Sequence, residues 1–128
     1  MPSWSEYKTI ARERGALAME LYCVESTPAA APEEMQKHLP DHLAYQKMRE
    51  AEGKLVLAGP LSDESGTEMT GGGMIIYRAS SLEEATQFAA EDPMHKAGAR
   101  NFTIRCWLVN EGSLSFTISL SDQRVSIS

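Results

Sequence analysis

The spacing of apolar residues changes period several times along the chain, and each change marks an expected element. Trp4, Tyr7, Ile10 and Ala11 share one face of a helix over residues 3–14. Ser3 and Glu6 have capping-box spacing, and Gly15 can close that helix. Residues 16–24 are almost continuously apolar, interrupted at Glu20, and predict strand one. The Ala- and Pro-rich stretch 25–32 predicts a loop, and residues 33–38 leave room for one helical turn. Pro40 then opens the main helix over residues 40–52, because a proline at the first helical position forfeits no hydrogen bond. Gly53 stops it, and residues 54–61 predict strand two. Residues 62–73 hold four glycines among Asp, Glu, Ser and Thr and predict a loop, with Gly71-Gly72-Gly73 a flexible entry into strand three at 74–79. A phosphate loop would lead into a helix rather than a strand. The second helix opens at Ser81 with Glu84 at capping-box spacing, and turns Ala85, Phe88 and Ala89 to the core. Pro93 disfavours helical backbone at Asp92, which ends it, with one further turn over 94–97. Residues 102–109 predict strand four. After a tight turn at Asn110-Glu111-Gly112, Leu114, Phe116, Ile118 and Leu120 alternate with Ser and Thr, predicting a final strand within 113–121.

The central order, strand-helix-strand-strand-helix-strand, is the βαββαβ arrangement of ferredoxin-like folds, an α+β class with an antiparallel sheet and two helices on one face. The N-terminal helix and C-terminal strand are additions to a core of about 17–109, within one domain spanning 1–128. Strands one to three are apolar at consecutive positions, as strands buried on both faces are. Two helices cover only one face, so a homodimer packed sheet to sheet is expected, with room for a higher oligomer. In strand four, Phe102, Ile104, Cys106 and Leu108 share one face, and Thr103, Arg105, Trp107 and Val109 the other.

Composition narrows the partners. A net charge of −6 over 128 residues argues against nucleic acid, which needs clustered Lys and Arg. No apolar run approaches the roughly 20 residues of a membrane helix. Lys8, Arg12, Glu13 and Arg14 stand where a signal peptide would be apolar, so the expected location is the cytoplasm, with Cys23 and Cys106 as reduced thiols.

The candidate chemistry centres on His42, the one common side chain type that exchanges a proton near neutral pH. The expected topology starts the first long helix and ends the second at the same end of the molecule, so His42 and Asp92 are delivered together. A carboxylate at a helix C-terminus is unfavourable by roughly 0.3–1 kcal/mol, which a nearby imidazolium or donor would offset. The pair reads as a general acid–base couple, or as a structural tie between two helix ends. On a helical wheel His42 falls away from the stripe of Ala44, Met48 and Ala51, on the side of Tyr45 and Arg49. Tyr45, Arg105 and Trp107 are candidate substrate contacts. His38 and His42 have the spacing of a metal pair, but Pro40 between them argues against a continuous helix; neither a metal site nor a cofactor is expected. His95, three residues after Asp92, could line the same end, but an exposed loop histidine is the favoured reading.

The run Pro40-Asp41-His42-Leu43, with Gly53-Lys54-Leu55, Ala58-Gly59-Pro60-Leu61, Gly73-Met74-Ile75-Ile76, Ser81-Leu82-Glu83-Glu84-Ala85 and Asp92-Pro93, resembles the YciI, or YCII-related, family in order and spacing. The resemblance covers roughly residues 17–109. It implies a dimeric α+β barrel and an active-site dyad at His42 and Asp92. One family member is a dehydrochlorinase of a chlorinated hydroxyhydroquinone, which implies lyase- or isomerase-like proton transfer on a small aromatic or enol-like ligand. The competing expectation is a non-catalytic ligand-binding or oligomerisation module.

Overall fold

In the computed structural model, which describes all of residues 1–128, the chain divides into two compact units. The larger comprises Glu20–Leu108; the smaller combines Met1–Met19 with Val109–Ser128.

The larger unit is built on a sheet in which β1 (Met19–Pro28), β2 (Leu55–Ser62), β3 (Met69–Tyr77) and β4 (Arg100–Val109) lie in the order β2-β3-β1-β4. β3 runs antiparallel to both β1 and β2. The helices α2 (Pro32–Ala51), α3 (Leu82–Glu91) and the single turn α4 (Pro93–Lys96) connect the strands, completing an α+β ferredoxin-like fold. The core forms where α3 meets the sheet: Ala85, Phe88 and Ala89 pack on Tyr22, Val24, Ile75 and Tyr77, with Phe102, Ile104 and Cys106 beside them. The alternation foreseen in β4 decides this, because its even-numbered residues turn inward while Thr103, Arg105 and Trp107 remain exposed.

Several boundaries differ from the sequence expectation, each for a physical reason. β1 continues through the supposed loop to Pro28, and its backbone pairs with β3 as far as Ser26↔Gly73. α2 begins at Pro32, not at Pro40. Pro32 takes the first helical turn and Glu33 and Glu34 follow it, so the start signals expected of Pro40 are already present eight residues earlier. Pro40 therefore lies inside a continuous helix and His42 near its middle. The glycine run belongs to β3 rather than to a flexible loop. Pairing is irregular between Pro60↔Gly73 and Ser62↔Met69, where Thr70, Gly71 and Gly72 bulge opposite Leu61. Gly71 has φ +85°, and a Cβ there would stand 2.6 Å from the Pro28 ring, so only glycine fits. At α3, Ser81 Oγ accepts from Glu84 N at 3.1 Å, but the Glu84 carboxylate turns to Ser80 N and Oγ, leaving the capping box half formed.

In the smaller unit, α1 (Trp4–Glu13) carries the reciprocal box: Ser3 N donates to Glu6 at 2.9 Å and Glu6 N to Ser3 Oγ at 3.1 Å. Its C-terminal part is not one strand but a hairpin of β5 (Phe116–Ser119) and β6 (Arg124–Ile127), in which Phe116 faces Ile127 and Ile118 faces Val125. β6 alternates as well, with Val125 and Ile127 beside Arg124 and Ser126, but it holds only two apolar residues. No helix of the molecule is long and apolar enough to cross a membrane.

Candidate functional site

α2 turns an unusual stripe inward. Met35, His38, His42, Tyr45 and Arg49 recur at helical spacing and are partly buried, while Ala44 and Met48 face outward. The apolar stripe of the helical wheel is thus the exposed one. Polar side chains tolerate the inward position because each finds a partner.

His42 meets Asp92. Its Nδ1 lies 2.8 Å from both carboxylate oxygens, across 50 residues of sequence. Asp92 is fully buried, and the His42 side chain retains 17% exposure. The helix break expected at Asp92 is present, with φ −58° and ψ 126°, and it lets the residue both end α3 and cap α4. Its Oδ1 accepts from Met94 N at 3.0 Å. The first turn of α4 thus serves the carboxylate that the end of α3 would disfavour. A carboxylate only accepts, so Nδ1 carries the hydrogen and Nε2 keeps its lone pair when the ring is neutral.

His42 borders a cavity of about 460 Å³. Leu39 and Leu43 of α2, Met74 of β3 and Met94 of α4 supply apolar wall, and Gly71-Gly72-Gly73 bring backbone close. Ser26 and Arg100 add polar groups at its edge.

A second histidine supports that edge. His95 is not an exposed loop residue. It sits in α4 with its ring 4.8 Å from that of Phe102, and its Nδ1 donates to the Ala89 carbonyl at 2.7 Å. Its Nε2 then accepts from Ser26 Oγ at 2.8 Å, and Ser26 Oγ accepts from Arg100 Nε at 2.8 Å. Burial pushes the His95 pKa down, which agrees with a neutral ring using both nitrogens.

His42 and Asp92 are brought together, whereas Tyr45, Arg105 and Trp107 lie outside the cavity lining. The Tyr45 hydroxyl donates to the Phe88 carbonyl at 2.6 Å and accepts from Arg49 Nε at 3.1 Å, tying α2 to α3. Arg105 pairs with Glu25 on the outer face of the sheet, where Trp107 is also exposed. His38 and His42 do share one continuous helix. His38, however, lies 3.9 Å from Glu34, and no three His, Cys, Asp or Glu side chains are grouped to hold a metal. Arg100 and Ser26 were missed. Both lie on the inward face by extension: two residues before Phe102 in β4, and two after Val24 in β1.

Comparison with known proteins agrees with this architecture. One relative, the uncharacterized protein YjpA of Bacillus subtilis (strain 168), is 33% identical over 72 residues, covering 56% of this chain and 78% of its own. A solved structure, 5-chloro-2-hydroxyhydroquinone dehydrochlorinase (TftG) from Burkholderia phenoliruptrix AC1100 in complex with 2,5-dihydroxybenzoquinone, is similar with a TM-score of 0.52 and 26% identity. That similarity covers 68% of this chain and 92% of the dehydrochlorinase. Residues 19–108, from the start of β1 almost to the end of β4, match the YCII-related domain, and the chain belongs to that family.

Proposed function

We propose that the chain is a small-molecule enzyme in which His42 acts as general base and acid, and Asp92 orients it. The observation that carries this reading is the contact of the buried Asp92 with Nδ1, which leaves Nε2 as the exchangeable nitrogen beside a cavity. Nε2 would take a proton from an acidic O–H or activated C–H of the ligand and return it in a later step. The cavity volume suits a single-ring compound. The dehydrochlorinase neighbour, whose complex holds 2,5-dihydroxybenzoquinone, supports an aromatic or enol-like ligand.

The decisive measurement is long-range ¹⁵N–¹H NMR of the neutral His42 ring. The hydrogen is expected on Nδ1, and 2,5-dihydroxybenzoquinone is expected to shift the Nε2 signal. A hydrogen on Nε2 would remove the base and overturn the reading.

The working unit is a homodimer joined through the outer face of the sheet. Leu57 is 62% exposed and Trp107 43% exposed on that side, which is more apolar surface than a sheet comfortably shows to water. Sedimentation should give twice 14.1 kDa, and Trp107→Glu should shift the mass toward one copy. A monomeric wild type at micromolar concentration would refute the dimer.

A further inference from the structure

Arg100 opens β4 and lines the same cavity as His42. A guanidinium carries five N–H bonds in one plane. Nε donates to Ser26 Oγ at 2.8 Å; Nη2 donates to the Ser26 carbonyl at 3.0 Å and to the Gly71 carbonyl. Nη1 is left with the Met35 sulfur at 3.6 Å, a weak acceptor. Every one of these partners is neutral. No Asp or Glu lines the cavity, although the chain as a whole carries a net charge of −6.

Holding a partly buried cation among neutral groups is costly unless something compensates it. Burial does press the Arg100 pKa down, with the Asp92 charge acting the other way through space as the smaller effect. The arrangement nevertheless fixes the group firmly. The bulge at Gly71 aims a carbonyl at Nη2, and the chain from the Ala89 carbonyl through His95 and Ser26 holds Nε. A purely structural clamp between β1, β3 and β4 needs only the Nε and Nη2 side of the fork. Nη1 is surplus to it.

We propose that Arg100 is the anion-binding residue of this cavity and that the ligand is a small organic acid, its carboxylate on Nη1 and its body against the apolar wall. This rests on the proposed placement of the active site in the cavity, though not on the protonation state of the dyad. Charge-assisted N–H···O bonds of an arginine to a carboxylate are roughly twice as strong as neutral ones, and here the cation is already oriented. His95 and Ser26 are positioning residues that act through Arg100.

The test compares two probes of the same shape, 2,5-dihydroxybenzoate and its neutral amide 2,5-dihydroxybenzamide, by NMR titration of the full chain. The acid is expected to bind at least about tenfold more tightly than the amide and to shift the Arg100 side-chain nitrogens. Arg100→Gln is expected to abolish that preference, and Arg100→Lys to retain part of it as a point charge. Equal affinities in the wild type, no binding of either probe at millimolar concentration, or a preference surviving in Arg100→Gln would each overturn the proposal. Should Arg100→Gln fail to fold, the wild-type pair decides alone, since an acid that leaves the Arg100 nitrogens unmoved also overturns it. The His42 tautomer is read without any ligand. Failure of the dyad and failure of the anion site are therefore distinguishable.

Discussion

α2 and α3 lie in the same layer and serve different ends. α3 is a ten-residue helix with a side-chain cap and three buried apolar residues on the central cluster. α2 is twice as long, has no side-chain cap, contains an interior proline and buries no residue fully. Its inward stripe is held by directed polar contacts: Tyr45 to the Phe88 carbonyl, Arg49 to Glu91 at 2.9 Å and over the Phe88 ring at 4.5 Å, His42 to Asp92. Apolar burial is non-directional and stabilises wherever surface is removed from water. Polar contacts stabilise less but fix the orientation of each group. In this protein α3 mainly holds the fold, and α2 carries the histidine of the proposed dyad.

Truncating the packed helix should have the largest effect. Phe88→Ala should cost about 3–5 kcal/mol, read as a lower denaturation midpoint, through the lost ring and the cavity left behind. A cost below about 1 kcal/mol would mean that α3 is not the anchor. On α2 the sign reverses: Pro40→Ala restores an interior hydrogen bond and should stabilise by about 1–2 kcal/mol, because the proline's penalty exceeds the unfolded-state entropy it removes. A destabilised Pro40→Ala variant would show that the surroundings of α2 are fitted to the proline. A pH scan probes the α3 side of the contrast. The folded-state pKa of His95 is depressed, so the unfolded chain binds more protons over the window from the folded value up to about 6.5. The stability from this group is complete above that window and is lost as pH falls through the folded pKa. Denaturation midpoints should therefore rise with pH across the window, and less so in His95→Gln. Smallest of all, Met48→Lys on the 46% exposed outer face of α2 should change stability by less than about 0.5 kcal/mol.

Much of this was legible before the fold, and the exceptions share a cause. Periodicity located α3 and β4 because their buried faces are apolar, whereas α1 was legible from its capping box and an apolar spacing of which only Ala11 is buried. The pairing of His42 with Asp92 followed from strand order, even though His42 sits mid-helix rather than in a first turn. α2 was misread because its inward stripe is polar and its outward one apolar, an inversion that no period analysis corrects. The β3 bulge was misread because glycine, which permits a loop, also permits a close strand crossing. Arg100 and Ser26 lay one alternation beyond the apolar runs that marked their strands, where a charge or hydroxyl reads as an end rather than as a buried position. What tertiary contacts decided, local pattern did not carry.

Pro40 has a consequence in time as well as in space. Having no amide hydrogen, it leaves the Gln36 carbonyl without its usual donor, and the hydrogen-bond ladder of α2 is interrupted there. The turns after Pro40 are tied down by His42, Tyr45 and Arg49, while those before it carry mainly exposed residues. Amide exchange along the helix should therefore fall into two classes, fast over residues 33–39 and slow over 41–51. Leu39 belongs to the fast class and borders the cavity. Such a pattern would mean that the half of α2 before Pro40 opens more readily than the half that holds the histidine.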